Sequence, residues 1–447
     1  MKFDRDKLPI LMAVVTIVLI LSIGLFTPVR SRLSFQVEKL KNRLYYLSNP
    51  PGKEVFVPVG GAQETVTLPA PAETLVIMPV EPTEPVVPTM DLTTVVAAST
   101  ATIMPTATVT PLPTETMVPL PPTFNLTGVK YEDQHGVWNY CAPTNLSMAL
   151  TYWGWDGDRI KAGKWLKPMD KDKNVMFYEM EQFVSQNTGL RSIVRRGGTP
   201  TLLKRLIVSG FPVLIEKGAF MQEVNGNLSW MGHYNLMTGY DDASQEWIVQ
   251  DSYYQANFRI KYEKIDLEWR SFNYEFMVVY PGDREAELYS ILGPYTNEQW
   301  TKENAFKMAD EQVASAKDAE SYFYAYFNRG SAQVDLNDFY GAAQSYDMAY
   351  QFYAELEQAI RPYRIIWYQT GPYYAYYYSG RYQDLINLAD IAIASTNEPF
   401  LEESYYWRAK ANQALGSFKL VEEDVNNCLN VHPGFIPCEA LKAELGI

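Results

Sequence analysis

The chain has 447 residues, with 38 Lys and Arg against 52 Asp and Glu and a formal net charge of −14. That length accommodates two domains with extensions, and the acidic balance, with no basic stripe for phosphates, excludes nucleic acid as a partner. The three cysteines, Cys141, Cys428 and Cys438, contain no CxxC pair, which excludes a zinc framework and a disulfide scaffold; no metal or cofactor is expected.

Charge is uneven along the chain. Residues 284–447 carry 12 Lys and Arg against 23 Asp and Glu, a local net charge of −11, whereas residues 1–49 carry 8 basic and 3 acidic residues. A basic start suits a membrane flank. Leu8–Phe26, LPILMAVVTIVLILSIGLF, is 19 residues without a charge, about the length of a spanning helix. The alternative is a cleaved signal peptide, but the run is long for one and Thr27-Pro28-Val29-Arg30 offers no small-x-small site. An uncleaved anchor is the preferred reading, with the bulk of the chain extracytoplasmic. Leu33–Leu47 has apolar residues at helical spacing and reads as a juxtamembrane helix or a solvated stalk.

Residues 50–122 hold more than half of the 28 prolines, with Thr, Val and Ala between them. Such a segment stays extended and at full polyproline length reaches on the order of 200 Å. It reads either as a stalk holding a module away from a surface or as a plain linker. Glu54–Pro58 and Leu75–Pro79 are short apolar patches suited to docking, with no target evident.

Folded sequence begins near Asn125. Pro143–Trp153 reads as a buried helix ended by Gly154, and Val175–Gln186 as another. Ser192–Arg195 reads as a short strand. Thr199–Ser209 is a helix with Thr199 as N-cap and Pro200 as its first residue. Phe211–Glu216, Trp230–Tyr240, Glu246–Asp251 and Phe276–Tyr280 are strands, the middle two joined by a turn at residues 241–245. Helices followed by an antiparallel sheet make an α+β layout.

Cys141 stands just ahead of the first of these helices. The positive end of a helix favours the thiolate, the reactive form. A base is needed, and His233 is the best placed of the three histidines. Its strand partner carries Asp251, and the turn length puts the two opposite each other, with Cβ atoms ~5 Å apart. Asp251 then orients the imidazole, and Gln134 supplies an N–H for the oxyanion. His135 shows no obvious orienting partner, and His432 lies in the acidic C-terminal part. Taken singly, each residue has a structural reading: a buried thiol, a core histidine, a turn aspartate. Trp138, Tyr140, Tyr152, Trp153 and Trp155 crowd the nucleophile. Tyr152 and Trp153 are read as packing.

These residues carry a resemblance. Gln134, Cys141, Pro143, Thr144, His233, Gly239-Tyr240 and Asp251 resemble the pattern of papain-clan cysteine peptidases, in particular family thirty-nine, the bacteriocin-processing type, and its stand-alone relatives. The resemblance covers roughly Lys130 to Pro281. It implies a papain-like fold, a peptide or protein substrate and cleavage through Cys141, His233 and Asp251, with Gln134 at the oxyanion. Two positions depart. Ala142 stands where Gly is usual, and Ser252 where Pro is usual. The methyl of Ala142 either narrows the cleft or marks a site released from catalytic demand. No GxxxxGK[ST] motif and no multi-span domain accompany the site, so the double-glycine specificity of transporter-linked members is not carried over.

From about Glu285 the chain reads as long helices rich in Ala and Tyr. Turns at Asn337-Asp338, Ser379-Gly380 and Leu415-Gly416 punctuate three helix pairs, spaced 43 and 36 residues apart against about 34 in the tetratricopeptide repeat. The small and aromatic positions around them resemble that repeat, which implies a solenoid with a concave face for a peptide or protein partner. Tyr373, Tyr374, Tyr376, Tyr377 and Tyr378 either line that face or pack. Cys428 and Cys438 are read as two small buried residues, with a bridge as the alternative in an oxidising compartment.

The expected organisation is an anchor at 1–29, a juxtamembrane helix at 30–49, a Pro/Thr-rich linker at 50–123, an α+β papain-like cysteine peptidase domain at 124–283 and an all-α tetratricopeptide-like solenoid at 284–447. Two other functions fit the same residues: an inactive peptide-binding scaffold, and a thiol acyltransferase or amidase acting on cell-wall peptides.

Overall fold

The computed structural model describes residues 40–41, 44–50, 52–60, 119–169, 172, 174–222, 228–398 and 400–447. The apolar run Leu8–Phe26 and nearly all of the Pro/Thr segment lie outside the described residues. Among those described, no helix is long and apolar enough to cross a membrane. Among the described residues, those of 44–60 group with Leu120–Ile447 as one unit, so that segment, the sheet and the C-terminal helices are parts of one body.

Seven antiparallel strands form the sheet: β1 (Thr123–Asn125), β2 (Arg191–Arg195), β3 (Val213–Gln222), β4 (Leu228–Asp241), β5 (Glu246–Asp251), β6 (Gln255–Lys261) and β7 (Phe276–Tyr280). Their order is β2-β7-β3-β4-β5-β6, with β1 pairing onto the far end of β4. That last pairing explains Gly239. A Cβ there would stand 2.5 Å from the Phe124 carbonyl oxygen, so only glycine lets β1 close on β4. β6 was not anticipated, because its alternation of half-buried and exposed residues gives a weak signal on an edge.

Both faces of the sheet are covered. On one lie α1 (Cys141–Tyr152), α2 (Arg159–Leu166) and α3 (Phe177–Asn187), which share a core with Leu214, Tyr234, Leu236 and Met277. On the other lie α4 (Pro200–Val208), α5 (Tyr262–Trp269) and α6 (Glu285–Leu292), packed on Val213, Ile215, Met237 and Val249. The cap signal at α4 is realised: Thr199 Oγ1 accepts from Leu202 N at 3.2 Å, satisfying one of the amides a helix start leaves open. Tyr152 and Trp153 pack as read, the Trp153 indole donating to the Val279 carbonyl at 2.7 Å.

The C-terminal part is a succession of helices: α7 (Glu298–Ser315), α8 (Ala319–Asp335), α9 (Phe339–Glu355), α10 (Ile365–Tyr368), α11 (Gly371–Tyr378), α12 (Tyr382–Ala394), α13 (Glu402–Ala414), α14 (Phe418–Val431) and α15 (Ile436–Leu445). Turns with positive φ at Asn337, Gly380 and Gly416 separate α8 from α9, α11 from α12 and α13 from α14. The 43-residue first spacing has a structural cause. Residues 356–370, including the single turn α10, are inserted between α9 and α11. The tyrosine cluster divides: Tyr373 and Tyr376 are fully buried, while Tyr374 and Tyr378 are exposed.

Cys428 and Cys438 form a disulfide between α14 and α15, where two free buried thiols had been expected. Both are fully buried, and the turn between the helices brings them together, which their separation of 10 residues did not itself require. In the chain-entropy account a loop of that length contributes about 2–3 kcal/mol. Cys438→Ser is expected to lower the denaturation midpoint of the terminal helices, measured by hydrogen exchange. Unchanged protection of α14 and α15 would show that the bridge does not hold them.

Candidate active site

Cys141 is the first residue of α1, not the residue ahead of it. The half-buried thiol therefore sits in the positive field of a twelve-residue helix. Ala142, next to it, is 2% exposed and packs with Leu146 and Ala149. Its methyl faces the core, so it does not narrow the cleft.

His233 and Asp251 meet, but not in the register expected. The β4–β5 ladder runs from Asp241–Glu246 to Leu236–Gln250, with a shift between Met237 and Gly239. Asp251, one step beyond Gln250, therefore lies nearest Asn235 rather than opposite His233; without this one-residue bulge it would face Leu236. Because side chains alternate with a period of two, His233, Asn235 and Asp251 still share a face. The His233 imidazole Nε2 lies 2.9 Å from Asp251 Oδ1, and Asn235 Nδ2 donates to Asp251 Oδ2 at 2.9 Å. The amides of Tyr253 and Tyr254 donate to Oδ1 at 2.9 and 3.2 Å. All three side chains are buried.

The other ring nitrogen is left for the thiol, and the two groups' charges are coupled. Burial disfavours charge on both groups, but mutual attraction outweighs it. The thiol is held below its ordinary value by His233, with smaller help from the Tyr234 amide and Lys167. The imidazole is held up at about 9, against burial, by Asp251 and then Cys141. Asp251 is likewise kept well below the usual carboxylate range by His233, with Lys217 and Asn235 assisting, despite its burial. The arrangement thus favours a thiolate–imidazolium pair at neutral pH.

Gln134 is fixed by the residue that departs from the resembled pattern. Ser252 Oγ donates to Gln134 Oε1 at 2.7 Å, and the Gln134 amide N–H donates to the Ser252 carbonyl at 2.9 Å. Asn145 Nδ2 in turn donates to Ser252 Oγ at 2.8 Å and to the Cys141 carbonyl at 2.9 Å. With its carbonyl engaged, the Gln134 amide has its NH2 free to turn toward the nucleophile. Asn145 and Asn235 were not singled out from the sequence. Their signal was positional: four residues after Cys141 on one helix face, two residues after His233 on one strand face.

A third unanticipated residue comes from the C-terminal helices. Tyr368 ends α10 and lies over Gly232, where a Cβ would meet its ring at 3.0 Å. Its ring also packs edge-on against Trp230 and Phe272 at 6.1 and 6.2 Å. Burial pushes the Tyr368 hydroxyl up, against the pull of Arg364, and the nearby Cys141 adds to this. Two polar contacts hold the segment in place: Gln369 Nε2 donates to the Ser271 carbonyl at 2.7 Å, and Asn174 donates to the Trp367 carbonyl. Glu216, 4% exposed, is held well above the usual carboxylate range by burial and by Glu275. The Tyr234 hydroxyl donates to the Val175 carbonyl at 2.8 Å.

The other two histidines stand apart from this network. His135 does have a partner, Asp133 at 2.7 Å, but both are exposed. His432 pairs with Glu402 at 2.7 Å in the C-terminal helices. Among the described residues no group of His, Cys, Asp and Glu is arranged to hold a metal.

No curated protein matches the chain. Among solved structures, a protein from Bacillus anthracis described as a C39-like peptidase is similar at 16% identity, over 35% of this chain and 96% of that one, with a TM-score of 0.29. Residues 126–277 match the Peptidase_C39 like family, a span that holds Gln134, Cys141, Asn145, His233 and Asp251. The chain thus carries a Peptidase_C39-like domain with an antiparallel sheet, followed by a helical C-terminal region.

Proposed function

We propose that this chain is a cysteine peptidase. Cys141 attacks the scissile carbonyl, and His233 takes the thiol proton and returns it to the leaving amine. Asp251 orients the imidazole, and Gln134 with the Cys141 backbone N–H holds the oxyanion. The observation that carries this reading is the half-buried Cys141 beside the buried His233–Asp251 pair, in which the hydrogen bond to Asp251 and both pKa directions favour the ion pair. The fully buried methyl of Ala142 and the bonding role of Ser252 favour it over an inactive scaffold. An acyl-transfer reaction uses the same acyl-enzyme and differs only in what attacks it.

The chain is proposed to be membrane-anchored through Leu8–Phe26, with its bulk extracytoplasmic. The disulfide supports this placement, since such bridges persist in oxidising compartments. The helical region is read as a tetratricopeptide-like solenoid that takes part in peptide binding, and Tyr368 as a wall of the substrate cleft.

Incubation of the full chain with a mixed peptide library tests the reading. Cleavage is expected with wild type and none with Cys141→Ala, and added amines separate hydrolysis from transfer. Tyr368→Ala is expected to redistribute the preferred residue next to the scissile bond and raise KM by ~10-fold, the size of a lost apolar contact, with kcat little changed. Equal turnover by Cys141→Ala would sink the peptidase. An unchanged cleavage profile with Tyr368→Ala would remove only Tyr368 from the cleft.

A further inference from the structure

Residues 52–60 do not leave the folded body as a stalk; they lie along its helices. Phe56 is 3% exposed and sits in the helical core. Its ring meets Tyr350 of α9 edge-on at 4.8 Å and Tyr376 of α11 at 5.8 Å. The backbone on either side is captured by charged groups. The Arg361 guanidinium donates to the Gly52 carbonyl at 2.8 Å, and the Val59 amide N–H donates to Asp384 Oδ1 of α12 at 2.7 Å. Val57 and Val59 point outward, 68% and 77% exposed. The segment has no regular secondary structure of its own. One aromatic anchor and two main-chain hydrogen bonds to side chains are the contacts of a bound extended peptide.

The Pro/Thr segment contains related stretches: Val76-Ile77-Met78-Pro79, Pro85-Val86-Val87-Pro88 and Ile103-Met104-Pro105. None has an aromatic residue. Phe56 is the single aromatic residue in 50–122, which explains why this stretch and not another is seated.

We propose that the groove between α9, α11 and α12 is a peptide-binding site for an extended apolar segment with one aromatic anchor and a following proline. Val55–Pro58 is its resident ligand, bound in cis. Residues 52–60 and the residues from Leu120 onward thus belong to one body. This site is independent of Cys141.

A specific protease site placed near residue 90 of the full chain, kept in detergent, tests the assignment. After cutting, the N-terminal fragment of the wild type is expected to stay bound through size-exclusion chromatography. With Phe56→Ala it is expected to leave at least a hundredfold faster, the usual scale for emptying a buried aromatic position. A synthetic peptide of residues 52–60 then binds the emptied body and not the uncut wild type. Val59→Pro removes the N–H given to Asp384 and alters only an exposed side chain, so it leaves the fold untouched; release on the order of tenfold faster is expected. Prompt loss of the wild-type fragment, or equal retention of the Phe56→Ala and Val59→Pro fragments, overturns the site. A dimeric mass before cutting that falls to monomer with Phe56→Ala overturns binding in cis.

Discussion

Replacing His233 with alanine is expected to slow peptide cleavage by ~10³- to 10⁴-fold, the scale lost when the base of a nucleophile–base unit is removed. The reason lies in the coupled charges. In the wild type the thiol is depressed and the imidazole raised to about 9, so the reactive ion pair is favoured over the neutral pair. Cleavage should fall in acid, as the thiolate takes up a proton, and fall again as pH rises through about 9, where the imidazolium loses the proton that the leaving amine needs. In His233→Ala the largest group favouring the thiolate is gone, while the burial that opposes it remains. Alkylation by a thiol-directed electrophile should then require alkaline pH, near or above the ~8.5 of a free cysteine. Equal alkylation rates at pH 7 for wild type and variant would remove His233 from the site. Asn235, which holds the second oxygen of Asp251, acts through that carboxylate. Asn235→Ala should therefore shift the upper limb of the pH profile rather than abolish activity.

Gln134→Ala is expected to lower kcat by ~10²- to 10³-fold with little change in KM, as loss of one oxyanion donor does. Ser252 makes this prediction specific to the chain. Its hydroxyl accepts from Asn145 and donates to the Gln134 carbonyl, and this relay sets which end of the Gln134 amide faces the nucleophile. Proline at 252, the residue usual in the resembled pattern, removes the hydroxyl and leaves the buried Asn145 donor with one acceptor fewer. Ser252→Pro should therefore lower kcat by roughly tenfold, about the worth of one positioning hydrogen bond, where an imported consensus residue would be expected to help. Threonine keeps the hydroxyl and should retain most of the activity. A Ser252→Pro enzyme as fast as wild type, with Gln134→Ala still impaired, would show that Gln134 is oriented by something other than this relay.

The sequence by itself determined the parts that rest on short spacing and local preference. Cys141 at a helix start, Gln134 seven residues before it and the Thr199-Pro200 cap are all local properties. The register set by the turn through Asp241–Glu246 would put Asp251 opposite Leu236, on the wrong face; the one-residue bulge at Met237–Gly239 moves it to Asn235 and so onto the face of His233. Tertiary structure decided what depends on residues far apart in the chain. Ser252 reaches Gln134 across 118 positions, and the Gly52 carbonyl meets Arg361 across 309. The excess of nine residues over the usual repeat, visible as a spacing of 43, signalled an insertion. Its destination over Gly232 had no local signature, since a tyrosine at a helix end packs equally well in its own domain. The Cys428–Cys438 bridge is of the same kind: its formation depends on how α14 and α15 turn back on each other, and the spacing of two cysteines does not contain that angle.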